Sequence, residues 1–184
     1  MNHSGTKIIV TERLILRPFE INDAEAMFRN WANDSEVTKY LTWTPHKTID
    51  ETISLLKSWA QKYKSPEHMA WAICLKENNE PVGSIDLTDL GIMKKEREIG
   101  YCIGRSFWHK GIMTEALRAV AAYGLNQAGL KRITGRHIEE NKASGAVMEK
   151  VGFQFIGKSK DTLEKNNTTI ILCHYELMKE SFIL

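Results

Sequence analysis

Glu98–Leu117, EIGYCIGRSFWHKGIMTEAL, is the stretch whose reading decides the fold. It opens as a short strand, EIGYCIG, with Ile99, Tyr101 and Ile103 on one face. Gly104 breaks the run and RSFWHKG follows as a loop. A helix is predicted from about Ile112, because Met113, Ala116, Leu117 and Val120 recur at helical spacing. A strand feeding a basic, glycine-containing loop that opens a helix is a device for holding phosphate. The first N–H groups of a helix lack internal partners, and the helix dipole adds partial positive charge there. Gly111 has no Cβ, so the backbone can approach a ligand closely. Arg105, His109 and Lys110 add positive charge nearby, and the ligand expected is a pyrophosphate. An ordinary strand–helix connection fits the same residues. The loop is neither G-x-G-x-x-G nor G-x-x-x-x-G-K-[ST], which argues against a Rossmann site or a P-loop.

Working outward, 184 residues suit one domain, 1–184, and 42% hydrophobic residues can fill its core. The 25 basic and 23 acidic residues leave a net charge of +2, which gives no electrostatic argument for nucleic acid or a membrane surface. Cys74, Cys102 and Cys173 are scattered through strand-like runs, so reduced thiols and a cytoplasmic location are expected. The opening MNHSGTK lacks the apolar run of a signal peptide, and no run approaches membrane-spanning length.

Along the chain, residues 7–19 read as one strand ended by Pro18. Asn22 with Glu25 makes a capping box for a helix carrying Ala24, Met27, Phe28 and Trp31. A loop follows, with a helical turn around residues 36–40. Thr48 with Glu51 caps a second helix, whose face is Ile49, Ile53, Leu56, Ala60 and Tyr63 and which stops at Ser65-Pro66. MAWAICLK, PVGSIDLTDL and EIGYCIG form an antiparallel meander, the last two joined by GIMKKER. Gly129 stops the central helix, LKRITGRHI is a strand, and a short helix spans 141–151. GFQFIGKSKDTL and TTIILCHYELMK pair as a hairpin around EKNN, whose exposed edges make a homodimer plausible. The fold class is α/β (α+β) with a mixed sheet.

The second informative stretch is NKASGAVMEKVGF, Asn141–Phe153. With TERLILRPFEINDAE and IGY…FWHKGIMTEAL it makes the chain resemble the GNAT N-acyltransferases, more narrowly the RimJ/RimL group that acetylates ribosomal-protein N-termini. The resemblance implies a mostly antiparallel sheet with a splayed central strand pair and flanking helices, and acetyl-CoA as cofactor. It places the family's pyrophosphate loop, Q/R-x-x-G-x-G/A, on Trp108, His109, Lys110, Gly111, Ile112 and Met113, where only Gly111 fits strictly. Met113 narrows the space beside that loop, and Thr114 adds a hydroxyl donor. The splay between EIGYCIG and LKRITGRHI leaves backbone groups for the pantetheine amides. Cys102 or Ile103 is the expected oxyanion donor, and Asn141 matches the pantetheine-binding asparagine or else caps its helix.

Acetyl transfer to an amine needs a neutral amine, a stabilised oxyanion and a protonated leaving thiolate. The tyrosine that many relatives use as acid is Met148 here, which cannot donate a proton. In the RimJ/RimL group the proposed acid is a serine, matched by Ser144, which alternatively caps its helix. For the base, Glu98 at the start of the central strand comes first, then Asp86 and His137. The histidines show no metal-ligand spacing, so no metal is expected. The acceptor side is expected over the first two helices, with Tyr40, Trp43, Pro45 and His46 lining a pocket or plugging the core. The acceptor is a protein N-terminal amine or a small amine such as a polyamine, amino sugar or amino acid. A catalytically weak acyl-CoA-binding module is the alternative of another class.

Overall fold

Eight strands form one sheet in the order β1-β2-β3-β4-β5-β6-β8-β7. A computed structural model describes residues 5–91 and 95–182, which leaves residues 1–4 of the opening MNHSGTK and 92–94 of GIMKKER outside. The strands are β1 (Ile9–Val10), β2 (Leu14–Arg17), β3 (Ala70–Leu75), β4 (Pro81–Thr88), β5 (Glu96–Ile103), β6 (Arg132–Ile138), β7 (Gln154–Leu163) and β8 (Thr168–Met178). The helices are α1 (Ala24–Met27), α2 (Ser35–Thr38), α3 (Ile49–Lys62), α4 (Ile112–Asn126) and α5 (Lys142–Val151). Every pairing is antiparallel except β5 with β6. A parallel pair needs a long crossover, and α4 is that crossover.

Side-chain alternation divides the core between two faces. Leu14, Leu16, Trp71, Ile73, Ile85, Leu87 and Ile99 pack with Ala116, Leu117, Val120 and Ala121 of α4 and Met148 of α5. Phe19, Met27, Trp31 and Leu56 pack on the other face with Ala72 and Cys74. Covered on both sides, β3 holds bulky residues on the α4 face and small ones on the α3 face, which is the alternation its sequence carries.

The parallel pairing of β5 and β6 runs from Glu96↔Arg132 to Ile99↔Gly135 and stops. Beyond it β5 continues only with β4, and β6 only with β8, so the sheet opens between them as expected. The register with β4 decides which groups face the opening. Gly104 N donates to Val82 O at 2.8 Å, so alternation turns Gly100 and Cys102 towards β4 and leaves Tyr101 and Ile103 facing the gap. Of the two expected donors, Cys102 is therefore committed to the ladder and Ile103 is not.

Several local expectations are corrected. Residues 7–19 are a hairpin rather than one strand, because Thr11 N bonds Leu14 O at 2.9 Å and folds β2 back on β1. The first capping box belongs to Glu20 and Asp23, not Asn22 and Glu25. Asp23 is drawn there by Arg17, whose guanidinium meets both carboxylate oxygens at 2.8 Å in the interior. The helix that follows ends in a π-turn, Phe28–Ala32. Thr48 stands before α3 without a side-chain cap bond, and Glu51 instead accepts from Lys47 N at 3.1 Å. Among the described residues no helix is long and apolar enough to cross a membrane.

Candidate active site

Both helices that border the opening begin at the C-terminal ends of the parallel strands. At the start of α4, Gly111 has φ +73°, and a Cβ there would meet only Arg13 Nη2 at 3.5 Å. The glycine is thus required by backbone conformation, with open space on its outer side. His109 shares the left-handed region at φ +60°, a costly conformation for a non-glycine residue. The first intrahelical bond runs from Glu115 N to Gly111 O at 3.1 Å, so the amides of Ile112, Met113 and Thr114 precede it. The loop is pinned from just before β2. Arg13 Nη1 donates to Lys110 O at 2.9 Å while its Nε meets Glu115 Oε2 at 2.7 Å. Two expectations change here. Met113 is buried in the core and does not crowd the loop. Arg105 pairs with Asp34 at 3.1 Å instead of standing ready for phosphate. Trp108 donates its indole N–H to Ile103 O at 2.9 Å, which closes the end of β5.

At the start of α5, Asn141 occupies the cap position with no side-chain cap bond. Ser144 is not a cap either, since it is the third residue of the helix. Its Oγ lies 2.9 Å from Tyr101 Oη, and the Tyr101 hydroxyl also donates to Ser144 O at 2.9 Å. Burial pushes the Tyr101 hydroxyl above its ordinary pKa against the opposing pull of Ser144. Met148 is buried against β6, and Gly135 makes room for it: a Cβ there would stand 2.6 Å from Met148 Sδ. His137 lies beneath α5, on the part of β6 past the parallel pairing. Its Nδ1 is 2.8 Å from Ile138 O, and a Cβ on Gly145 would stand 2.6 Å from its Nε2.

On the α3 face a cavity of about 530 Å³ is lined by residues of β3 and β4 and by Arg97 of β5. Asp86, on β4, forms its floor opposite Gly100, the first residue past the parallel pairing. A Cβ on Gly100 would stand 2.9 Å from Asp86 Oδ2, so glycine lets this carboxylate lie over the strand. Thr88 Oγ1 donates to Asp86 Oδ1 at 2.7 Å. Burial lifts the Asp86 carboxyl to about 6, and the charge of Glu98 adds to the shift against the Thr88 hydrogen bond. Glu98 itself is held by Arg136 Nε at 3.3 Å. Ser84 Oγ lies 3.2 Å from Cys102 Sγ, and burial pushes that thiol up to about 11, against a role as nucleophile.

The expected acceptor residues fall elsewhere. Tyr40 packs against Ile138, Leu163 and Leu172. Trp43 and His46 meet with rings tilted by 48° and centroids 5.6 Å apart, and His46 Nδ1 meets Thr52 Oγ1 at 2.7 Å. None of the three lines the cavity, whose walls include Phe19, Trp59, His68 and Arg97. The sequence reading missed those four and the Tyr101 hydroxyl. The alternation of β5 gave Tyr101 its face but not its partner on α5.

Residues 13–154 match the sequence profile of a family described as "Acetyltransferase (GNAT) domain". The chain is 33% identical over 172 residues to "Uncharacterized N-acetyltransferase YoaA" of Bacillus subtilis (strain 168), covering 94% of this chain and 97% of that one. It is 24% identical to "[Ribosomal protein uS5]-alanine N-acetyltransferase" of Escherichia coli (strain K12), covering 84% and 82%. The crystal structure of an acetyltransferase (GNAT family) from Bacillus anthracis superposes with a TM-score of 0.82 at 28% identity, covering 95% and 99%.

Proposed function

As the chain belongs to the GNAT acetyltransferase family and is an acetyl-CoA-dependent N-acetyltransferase, we propose that its acceptor is the N-terminal amine of a polypeptide, received in the cavity floored by Asp86. One observation carries this reading. The sheet opens after Ile99↔Gly135 with Asp86 over Gly100 on one face and Tyr101 joined to Ser144 on the other. An amine and a leaving thiolate can thus be served from opposite sides of one opening.

The residues present fit acetyl-CoA. The amides that open α4 and the clear space outside Gly111 suit a pyrophosphate, with Thr114 beside them. The uncapped Asn141 side chain and the gap-facing backbone of Tyr101 and Ile103 suit the pantetheine amides. When bound, acetyl-CoA supplies an activated acetyl group and a thiolate leaving group. Asp86 takes the proton of the acceptor ammonium: lifted to about 6, it is ionised at neutral pH yet more basic than a free carboxylate. Glu98, engaged by Arg136, contributes charge to Asp86 in place of the role of base. The gap-facing N–H of Ile103 or Tyr101 stabilises developing negative oxygen. With the Tyr101 proton given to Ser144 O, the Ser144 O–H is donated to Tyr101 Oη, and it turns from there to the departing sulfur.

A polypeptide acceptor is supported by the uS5-alanine relative and by the polar rim of the cavity, formed by Glu67 and Asp89. A small amine is the second reading, favoured by the limited cavity volume. Thiol release from acetyl-CoA, followed with N-terminally free peptides, the same peptides with blocked N-termini, and a set of polyamines, amino sugars and amino acids, tests the choice. Turnover confined to free-N-terminal peptides is the expected result. Turnover confined to small amines would replace this reading by the second.

A further inference from the structure

The α3-face cavity holds more than a base. Phe19 and Trp59 line it, their ring centroids 5.0 Å apart, and Ala70 leaves space beside them on β3. Arg97 is 5% exposed at its side chain and already has two acids, Glu67 at 2.7 Å and Asp89 at 3.5 Å, both half exposed. Both acids sit at Nη2, so an acceptor carboxylate would meet a cation whose charge is already balanced. Lys62 is the other cation of the lining, set against the carboxyls of Glu67, Asp86 and Asp89. His68 lines the same cavity with its buried Nε2 unpartnered, and burial, with Lys62 adding, lowers its pKa so that the ring is neutral near pH 7. The lining is therefore aromatic on its wall and carries more acids than bases.

We infer that the enzyme selects acceptors by their first side chain, taking an uncharged apolar or aromatic residue against Trp59 and Phe19 and rejecting an acidic one. This rests on the N-terminal-amine reading above. Aromatic walls reward apolar area removed from water. An acidic side chain would meet surplus negative charge with its one buried cation already paired. Residues with a free carboxylate beside the amine, such as amino acids themselves, are disfavoured for the same reason.

The test uses the full chain and peptide amides identical except for a first residue of Phe, Leu, Ala or Asp. Thiol release gives kcat/KM, and calorimetry without acetyl-CoA gives peptide affinity. Phe and Leu should exceed Ala by about tenfold or more in kcat/KM, and Asp should be poorest. Trp59→Ala should flatten the Phe advantage in both measurements. Asp89→Lys, which leaves Glu67 as the partner of Arg97 and whose folding is checked by its melting temperature, should improve the Asp peptide relative to Phe. A flat series, a preference for Asp, or an unchanged ranking in Asp89→Lys would overturn this inference while leaving the N-terminal acceptor intact. Reaction with small amines and with no peptide would instead remove the acceptor reading on which it stands.

Discussion

Asp86 and Glu98 are diagonal neighbours on β4 and β5 with different surroundings. Asp86 lies over Gly100 in the cavity, while Glu98 carries an arginine. The raised carboxyl has a consequence for stability as well as for rate. A folded pKa above the ordinary value near 3.8 means protonation favours the fold. That contribution is complete below about 3.8 and is lost as pH rises through about 6. Asp86→Asn should therefore raise the melting temperature at pH 7, by the equivalent of roughly 1–3 kcal/mol, and leave it unchanged near pH 3. The same variant should lose about a hundredfold in kcat/KM. Wild-type kcat/KM should climb through about pH 6; a profile without that limb, or a fully active Asp86→Asn, removes Asp86 as the base. Ser144 and Tyr101 make a second residue-level pair. Ser144→Ala should lower kcat by about a hundredfold with acetyl-CoA affinity kept, and Tyr101→Phe by about tenfold. Because Tyr101 acts through Ser144, the double variant should be no slower than Ser144→Ala alone. Additive losses in that cycle would give Tyr101 an independent role.

At the scale of elements, the proposed site divides the holding of acetyl-CoA between two helix starts. The α4 start is fixed by Arg13, just before β2, which clamps Lys110 O and Glu115 together, so the amides that open α4 are set by a residue distant in the chain. Acetyl-CoA should raise the melting temperature of the wild type. Gly111→Asp should abolish that shift, since it adds negative charge where the amides open. Gly111→Ala should keep most of the shift while costing about 1–2 kcal/mol for its left-handed backbone. A shift retained in Gly111→Asp would place the pyrophosphate elsewhere. The α5 start shows how a cap-like motif can mislead. N-K-A-S reads as a helix opening, and it is one, but neither polar side chain caps it. Ser144 is instead bonded to Tyr101 of β5.

At the scale of the whole molecule, α5 sits closely against β6 and β8 beside the opening in the sheet. Gly145 allows the close seat: a Cβ there would stand 2.6 Å from His137 Nε2 and 3.2 Å from Tyr175 Oη. Alanine is the better helix former, yet Gly145→Ala should destabilise the protein by about 1–3 kcal/mol, because the helix must lift. Lifting α5 also moves Asn141 and Ser144, so acetyl-CoA binding and kcat should fall together. A variant with a higher melting temperature and normal turnover would show that the seat is not tight.

Periodicity and turn chemistry in the sequence determined most elements: β3 to β6, α3 to α5 and the final hairpin stand where local patterns put them, since those patterns reflect what each segment must bury. They also marked Gly111, Asn141 and Ser144, because helix starts announce themselves locally. What joined these elements was decided only by tertiary structure. Local sequence ranks Glu98 ahead of Asp86 as a base. Cross-strand register alone puts Asp86 over Gly100 and gives Glu98 an arginine from β6. The aromatic residues of the 40–46 loop had the composition of a pocket, but they pack into neighbouring clusters. The cavity is built instead by Phe19, Trp59, His68 and Arg97, which lie far apart in the chain and meet only when α3 closes over the sheet. No periodicity encodes that meeting, because it is set by the packing of two layers and not by any segment's own pattern.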